Sequence, residues 1–145
     1  MSVVADTNIF VCAEDLREVR KRAKAAALWE TLSGMDDAVV SSQVVSEFAN
    51  TLLRLWKDPA AVDQVVERLA LSMRVIPVSP STVRLAIDGC ARFGFSFYDA
   101  QIWASAREWG ATLVLSEDFP DGLVADGIRF ANPFAPGFDL DALLA

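Results

Sequence analysis

Near the N-terminus, an apolar run of Val-Val-Ala at positions 3–5 ends abruptly at Asp6, and Thr7 and Asn8 follow it. The run shows no polar alternation, so it predicts a strand that is buried on both faces inside a sheet. Asp6 then falls at the carboxyl end of that strand, which is the edge where open α/β sheets bind ligands. The chain is therefore expected to build a site at one edge of a covered sheet.

Farther along the chain, short apolar runs alternate with helical stripes, as in folds whose parallel strands are joined by crossover helices. We predict one α/β domain over residues 1–145, with a mainly parallel sheet of about five short strands flanked by helices. The predicted strands are 3–5, 38–41, 74–78, 112–115 and 127–131, and the predicted helical segments are 15–32, 42–56, 59–72, 79–92, 96–109 and 139–145.

Individual residues predict where several helices begin and end. Ser42 is expected to cap the helix that follows the second strand. Ser96 is followed three residues later by Asp99, a pattern that resembles a capping box with Asp in place of the usual Glu. Asp99 also lies at the top of an apolar helix face, where a carboxylate needs a partner. Gly94 and Gly110 are expected to end the two helices that precede them.

Composition excludes several classes of protein and site. The chain has no histidine, which removes histidine-based acid–base catalysis and the usual zinc sites. Its net charge of −7 counts against a protein that coats nucleic acid through a broad basic face. The sequence shows neither a long uninterrupted apolar run nor a basic leader, so we expect a cytoplasmic protein that does not enter a membrane. Cys12 and Cys90 fit no metal or redox spacing and are expected to be reduced and partly buried.

Three further acidic residues, Glu47, Asp99 and Asp118, are predicted at helix starts or strand ends near the same sheet edge as Asp6. Each alone has an ordinary explanation as a helix cap, a solvated flank residue or a turn residue. Together, four carboxylates would repel one another and raise some of their pKa values, a cost that a divalent cation relieves. Oxygen ligands without histidine or cysteine favour Mg²⁺ or Mn²⁺. Such an ion can activate water for phosphodiester hydrolysis without a protein nucleophile.

Positive charge is concentrated in the first predicted helical segment. The stretch is either an ordinary solvated helix face or a local patch for an RNA backbone or an acidic partner. On the second interpretation, Arg17, Arg20, Lys21 and Lys24 are the candidate RNA contacts, and Arg22 lies among them.

Four segments together resemble the PIN domain, and more narrowly the VapC type of toxin ribonuclease. They are Val4-Ala5-Asp6-Thr7-Asn8, Ser46-Glu47-Phe48, Ser96-Phe97-Tyr98-Asp99-Ala100 and Leu115-Ser116-Glu117-Asp118, which occur in the family's order over almost the whole chain. The resemblance implies a Rossmann-like fold and a metal-dependent endoribonuclease that forms a homodimer. It also implies a VapB-type antitoxin whose C-terminal segment lies over the active-site groove.

The resemblance further implies roles for particular residues. The catalytic, Mg²⁺- or Mn²⁺-binding positions of the family correspond here to Asp6, Glu47, Asp99 and Asp118, and the supporting polar positions correspond to Thr7, Asn8 and Ser116. The last acidic position varies within the family, so Glu117 is an alternative to Asp118.

Other interpretations account for the sequence less completely. A phosphotransferase of the haloacid dehalogenase type needs a second Asp at position 8, where this chain has Asn8. That class and the response-regulator receiver also need a well-placed lysine, whereas Lys21, Lys24 and Lys57 all lie in helical stretches of the sequence. Two alternatives remain within the resemblance: a housekeeping RNA-processing nuclease, and a catalytically inactive module that binds metal or a partner.

The helix that carries Glu47 has a wider apolar surface than one buried stripe requires. Leu52, Leu53, Leu55 and Trp56 together extend around the helix. We therefore expect part of this surface to face a second subunit or the antitoxin.

Overall fold

A computed structural model of the chain describes residues 2–145, which form six strands and seven helices. In chain order these are β1 (Val3–Ala5), α1 (Thr7–Glu14), α2 (Val19–Ser33), β2 (Ala38–Ser41), α3 (Ser42–Trp56), α4 (Pro59–Ser72), β3 (Arg74–Ile76), α5 (Pro80–Phe93), α6 (Phe97–Trp109), β4 (Leu113–Leu115), β5 (Val124–Ala125), β6 (Ile128–Ala131) and α7 (Leu140–Leu144). The alternation of strands and helices confirms the predicted α/β class.

The strands form a single sheet in the order β3-β2-β1-β4-β6-β5. All neighbouring pairs are parallel except β5 and β6, so the prediction of a mainly parallel sheet is confirmed. The predicted strand β1 is central, and Val4 pairs with Val39 on one side and Val114 on the other. The sheet has one strand more than the five predicted, because the two-residue β5 is too short to produce a sequence pattern.

The core lies on both faces of this sheet. Every residue of β1, β2 and β4 is buried. Helix α6 is also enclosed, with seven consecutive buried residues from 100 to 106. Gly89 of α5 permits close packing against α6, because a Cβ at that position would lie 2.8 Å from the Trp103 ring. The start of α6 is therefore held firmly at the carboxyl edge of the sheet.

The predicted helix at 15–32 is wrong at its start. The chain forms α1 from Thr7 and α2 from Val19, separated by a turn at 15–18. Asp15 accepts hydrogen bonds from the Arg17 backbone N–H (3.0 Å) and from the Arg17 guanidinium (2.9 and 2.8 Å). These local bonds compete with helix formation and explain the break. They also lower the pKa of Asp15 to about 2.

Two predicted helix caps are wrong, although most helix ends are confirmed. Ser41, not Ser42, caps α3 by accepting a hydrogen bond from the backbone N–H of Val44 at 3.3 Å. Ser96 precedes α6, but its hydroxyl accepts no backbone N–H, so the predicted capping box is absent there. The predicted ends at Gly94 and Gly110 are confirmed, and both glycines adopt the left-handed conformation.

Two smaller predictions concern the cysteines and the membrane. Cys12 and Cys90 are free and half-buried, as predicted. Among the helices of residues 2–145, none has the length and apolar character needed to cross a membrane.

Candidate active site

The first acidic residue of the candidate site, Asp6, is fixed at the end of β1. Its backbone N–H continues the pairing with β4 by donating to the carbonyl of Leu115 at 2.9 Å. The carboxylate is only 4 % exposed, and its two oxygens accept hydrogen bonds from Thr7 N–H and from the Ser116 hydroxyl, both at 2.7 Å. Burial raises the pKa of Asp6 to about 6 despite these two bonds. The charges of Asp118 and Glu47 make a smaller contribution to this raised pKa.

Ser116 connects the turn after β4 to the start of α1. Its buried hydroxyl donates to Asp6 and accepts from the Asn8 side-chain amide (3.2 Å) and from the Asp118 backbone N–H (3.0 Å). The same amide of Asn8 donates to the Asp118 carboxylate at 3.2 Å. Asn8 and Ser116 therefore hold Asp6 and Asp118 in a fixed relation at neighbouring strand ends.

Glu47 reaches the same edge of the sheet from α3. One of its carboxylate oxygens accepts from the Thr7 hydroxyl at 3.2 Å, and the other accepts from the Gln43 side-chain amide at 2.6 Å. Thr7 directly follows Asp6, so this bond places the Glu47 carboxylate next to the end of β1. The three predicted supporting residues thus contact the acidic residues that they were predicted to support.

Asp99 lies half-buried in the first turn of α6. Burial is the main cause that raises its pKa, and the charges of Asp118 and Glu47 add to this effect, while the Ser96 hydroxyl opposes it. The same two charges act on Asp6. The four predicted carboxylates therefore share one electrostatic environment. Within residues 2–145, none of the four forms an ion pair with a lysine or an arginine.

This donor set is suited to a hard divalent cation. It consists of carboxylate, hydroxyl and amide oxygens, and no lysine or arginine among residues 2–145 forms an ion pair with these carboxylates. In the part of the chain that the structure describes, no three acidic or cysteine side chains converge closely enough to enclose an ion by themselves. Mg²⁺ commonly binds through only one or two carboxylates and keeps several waters, so an open arrangement fits its chemistry.

The geometry distinguishes between the two adjacent acidic residues after β4. Glu117 points to α2, where its carboxylate forms an ion pair with Lys21 at 2.6 Å and accepts a weak hydrogen bond from the Cys12 thiol at 4.0 Å. Asp118 instead accepts from Asn8 and acts electrostatically on Asp6 and Asp99. The arrangement favours Asp118 over Glu117 as the last acidic residue of the site.

The predicted basic patch is only partly available for a polyanion. Arg17 is paired with Asp15, and Lys21 is paired with Glu117 and, at 3.8 Å, with Glu18. The other two candidate contacts, Arg20 and Lys24, are exposed and form no ion pair within residues 2–145. The pair formed by Lys21 places this part of α2 beside the turn that carries Asp118.

Sequence reasoning missed two glutamines of the site, Gln43 and Gln101. The Gln43 amide donates to Glu47, and the Gln101 amide donates to the side-chain oxygen of Gln43 at 2.7 Å. Gln43 precedes Glu47 by four residues, a spacing at which helical side chains interact, and that spacing was the available signal. The contact between Gln43 and Gln101 depends on the tertiary fold.

Comparison with known proteins gives a family and several structural relatives. The model of the PIN domain family matches residues 3–119. The toxin VapC20 of Mycobacterium tuberculosis, described as cleaving the sarcin–ricin loop, is 25% identical, with a TM-score of 0.68 over 88% of this chain and 99% of its own. Among curated protein sequences, none matches this chain.

Two toxin–antitoxin structures share the fold at lower identity. A complex from Klebsiella pneumoniae is 15% identical, with a TM-score of 0.67 over 92% of this chain and 98% of its own. VapBC2 from Rickettsia felis, bound to a DNA fragment from its promoter, is also 15% identical, with a TM-score of 0.67 over 91% of this chain and 98% of its own.

Proposed function

The chain belongs to the PIN domain family, and we propose that it is a divalent-metal-dependent endoribonuclease, the toxin of a VapBC-type pair. The observation that carries the proposal is the shared environment of four carboxylates at one sheet edge without a compensating basic residue. The relative that cleaves the sarcin–ricin loop supports a ribonuclease of the toxin class.

In this proposal, Asp6, Glu47, Asp99 and Asp118 hold Mg²⁺ or Mn²⁺ and are the catalytic residues. Bound metal would supply Lewis acidity, which makes water nucleophilic and stabilises charge on the phosphate oxygens of an in-line displacement. The residues that hold the carboxylates in place are Thr7, Asn8 and Ser116. No histidine is required, because the protein provides orientation and negative charge rather than a nucleophile.

RNA and two protein partners complete the proposal. Arg20 and Lys24, with Arg17 and Lys21 beside them, would contact the RNA backbone, since a net charge of −7 leaves binding to local patches. We propose a VapB-type antitoxin as partner, which the toxin–antitoxin relatives support. We also propose that the protein is a homodimer and acts in the cytoplasm. The exposed flank of α3 is the surface that we assign to the second subunit, because Leu53 and Leu55 are each 41% exposed.

The test is cleavage of a mixed RNA pool by purified protein in Mg²⁺, in Mn²⁺ and in EDTA. Asp6→Asn and Asp99→Asn, each shown to be folded by circular dichroism, should lower the rate by more than about 100-fold, since even residues that only support metal ligands affect activity 10- to 100-fold. Asp63→Asn, at an exposed position on α4, is the matched control and should cleave like wild type.

Each alternative corresponds to a different result. Cleavage that persists in EDTA or in both variants would contradict the metal site. Mn²⁺ binding without cleavage of any RNA would favour the inactive binding module. Cleavage without growth arrest on expression, or without relief by the product of a small upstream reading frame, would favour the housekeeping nuclease.

A further inference from the structure

Two buried glutamines form a continuous hydrogen-bond chain between α6 and α3. Gln43 is 8% exposed and Gln101 is 6% exposed. The Gln101 amide donates to the side-chain oxygen of Gln43 at 2.7 Å, and the Gln43 amide donates to Glu47 at 2.6 Å and to the backbone carbonyl of Tyr98 at 3.1 Å. Burying amides is unfavourable unless their hydrogen bonds are made, and here the chain of bonds is continuous.

Only one orientation of the Gln43 amide satisfies its neighbours. The Tyr98 carbonyl can only accept, and an ionised Glu47 can also only accept, so both require the nitrogen end of Gln43. The oxygen end must then face Gln101, whose nitrogen donates to it. A reversed amide would place acceptors against acceptors, so this network fixes the orientation of Gln43.

The position of Gln43 connects two of the proposed metal-binding residues. It lies one helical turn before Glu47 in α3, and the Tyr98 carbonyl that it binds directly precedes Asp99 in α6. The second Glu47 oxygen is held by Thr7, which follows Asp6. Glu47 is thus restrained from α1 and from α6 at once.

We propose that Gln43, locked by Gln101, is a positioning residue that sets the orientation of the Glu47 carboxylate relative to Asp99. The inference rests on the proposed metal-dependent nuclease. A neutral amide suits this role, because it orients the carboxylate without supplying a positive charge that would compete with a divalent cation. Lysine or arginine at position 43 would supply that competing charge.

Mn²⁺ titration by calorimetry tests the proposal without relying on activity. Gln43→Leu should weaken Mn²⁺ binding by about 10- to 100-fold, the range for residues that orient metal ligands. Gln101→Leu should weaken it less, because the direct bond from Gln43 to Glu47 remains. Gln43→Asn keeps an amide but is one methylene too short to reach both acceptors, so its Mn²⁺ affinity should resemble that of Gln43→Leu. It replaces the leucine variant in the titration if that variant does not fold. Gln64→Leu, an exposed glutamine on α4, is the matched control.

A second measurement separates positioning from general damage to the fold. In the Gln43 variants, the Mg²⁺ concentration for half-maximal RNA cleavage should rise, while kcat at saturating Mg²⁺ should return to near the wild-type value. A lowered kcat that excess Mg²⁺ does not restore, or Mn²⁺ binding equal to wild type, would overturn the positioning role. If the wild-type protein binds no Mn²⁺ and cleaves no RNA, the proposed nuclease function is contradicted. That result is distinguishable from one in which the wild type binds Mn²⁺ and cleaves RNA but the Gln43 variants bind Mn²⁺ equally well.

Discussion

Among individual residues, Asp6 combines near-complete burial with two short hydrogen bonds and a pKa raised to about 6. Between pH 4 and pH 6, the folded chain therefore holds a proton that the unfolded chain has already lost. The free energy of unfolding of the metal-free protein should fall as the pH rises through this window. A shift from 3.8 to about 6 corresponds to on the order of 3 kcal/mol.

Asp6→Asn should remove most of this pH dependence. Urea unfolding of the metal-free protein, measured between pH 4 and pH 7, should show a clear decline for wild type and a flatter profile for the variant. Asp99 contributes in the same direction, because its pKa is also raised, so some slope should remain. Asp63→Asn should follow the wild-type profile, and equal slopes for all three proteins would contradict the expectation.

Two buried serines offer an internal comparison. Ser116 makes three hydrogen bonds, whereas the Ser105 hydroxyl has no hydrogen-bond partner within residues 2–145. Ser116→Ala should destabilise the protein by about 1–3 kcal/mol, because its buried partners lose their bonds. Ser105→Ala should be neutral or stabilise it by up to about 1 kcal/mol, since alanine favours the helix. Thermal and urea unfolding would check both, and equal losses would show that burial alone determines the effect.

The carboxylates could be predicted from sequence, but their supporting network could only partly be predicted. Asp6 and Asp118 follow apolar strands, and parallel strands bring their carboxyl ends to the same edge of the sheet. The local sequence pattern was therefore enough to predict that these two residues lie close together. The contact of Gln43 with Gln101 spans 58 residues and joins two helix faces. No local pattern specifies which buried polar side chains meet across such a distance.

At the scale of secondary structure, the packing of α5 on α6 determines where Asp99 and Gln101 lie. Gly89→Ala should destabilise the protein by about 1–3 kcal/mol, although alanine is the better helix former, because overpacking outweighs helix propensity. The new Cβ would lie 2.8 Å from Trp103, whose ring is fully buried and whose N–H donates to the Ala125 carbonyl. The ring therefore has little freedom to move.

A glycine-to-alanine control is available at Gly34, the residue that directly follows α2. A Cβ at Gly34 would come no closer than 3.5 Å to another atom, and the backbone there is not left-handed. Gly34→Ala should change stability by less than about 0.5 kcal/mol. Chemical unfolding of both variants provides the comparison, and a tolerated Gly89→Ala would show that α5 and α6 can move apart.

Element boundaries show where sequence patterns were sufficient. Strand β1 and the ends of α5 and α6 were predicted because apolar runs and left-handed glycines act locally. The break between α1 and α2 was missed because it depends on the side chain of Asp15, whose bonds to Arg17 replace a helical turn. The cap of α3 was displaced by one residue because the Ser42 hydroxyl accepts from the backbone N–H of Val78, 36 residues away.

At the scale of the whole molecule, the exposed leucines of α3 provide a test of the proposed homodimer. Leu53→Lys with Leu55→Lys should convert the protein from a dimer to a monomer in sedimentation equilibrium, because each leucine places apolar surface in solvent. Val124→Lys is the control, because Val124 is also an exposed apolar residue. It lies on β5, at the far edge of the sheet from β2, the strand that α3 directly follows. A monomeric wild type, or a double variant that remains dimeric, would contradict the assignment of this surface to the dimer interface.

The hydrogen bond from Ser116 to Asp6 joins residues that lie 110 positions apart in the chain, and the central strand β1 pairs with β4 across a similar interval. At about 5–20 residues per second, roughly 5 to 20 s of translation separate the two residues. During that time the nascent chain lacks both β4, one of the two neighbours of β1, and the hydroxyl that holds Asp6. The proposed toxin would therefore be inactive at least until the chain has been synthesised through residue 118, because the complete candidate site includes Ser116 and Asp118.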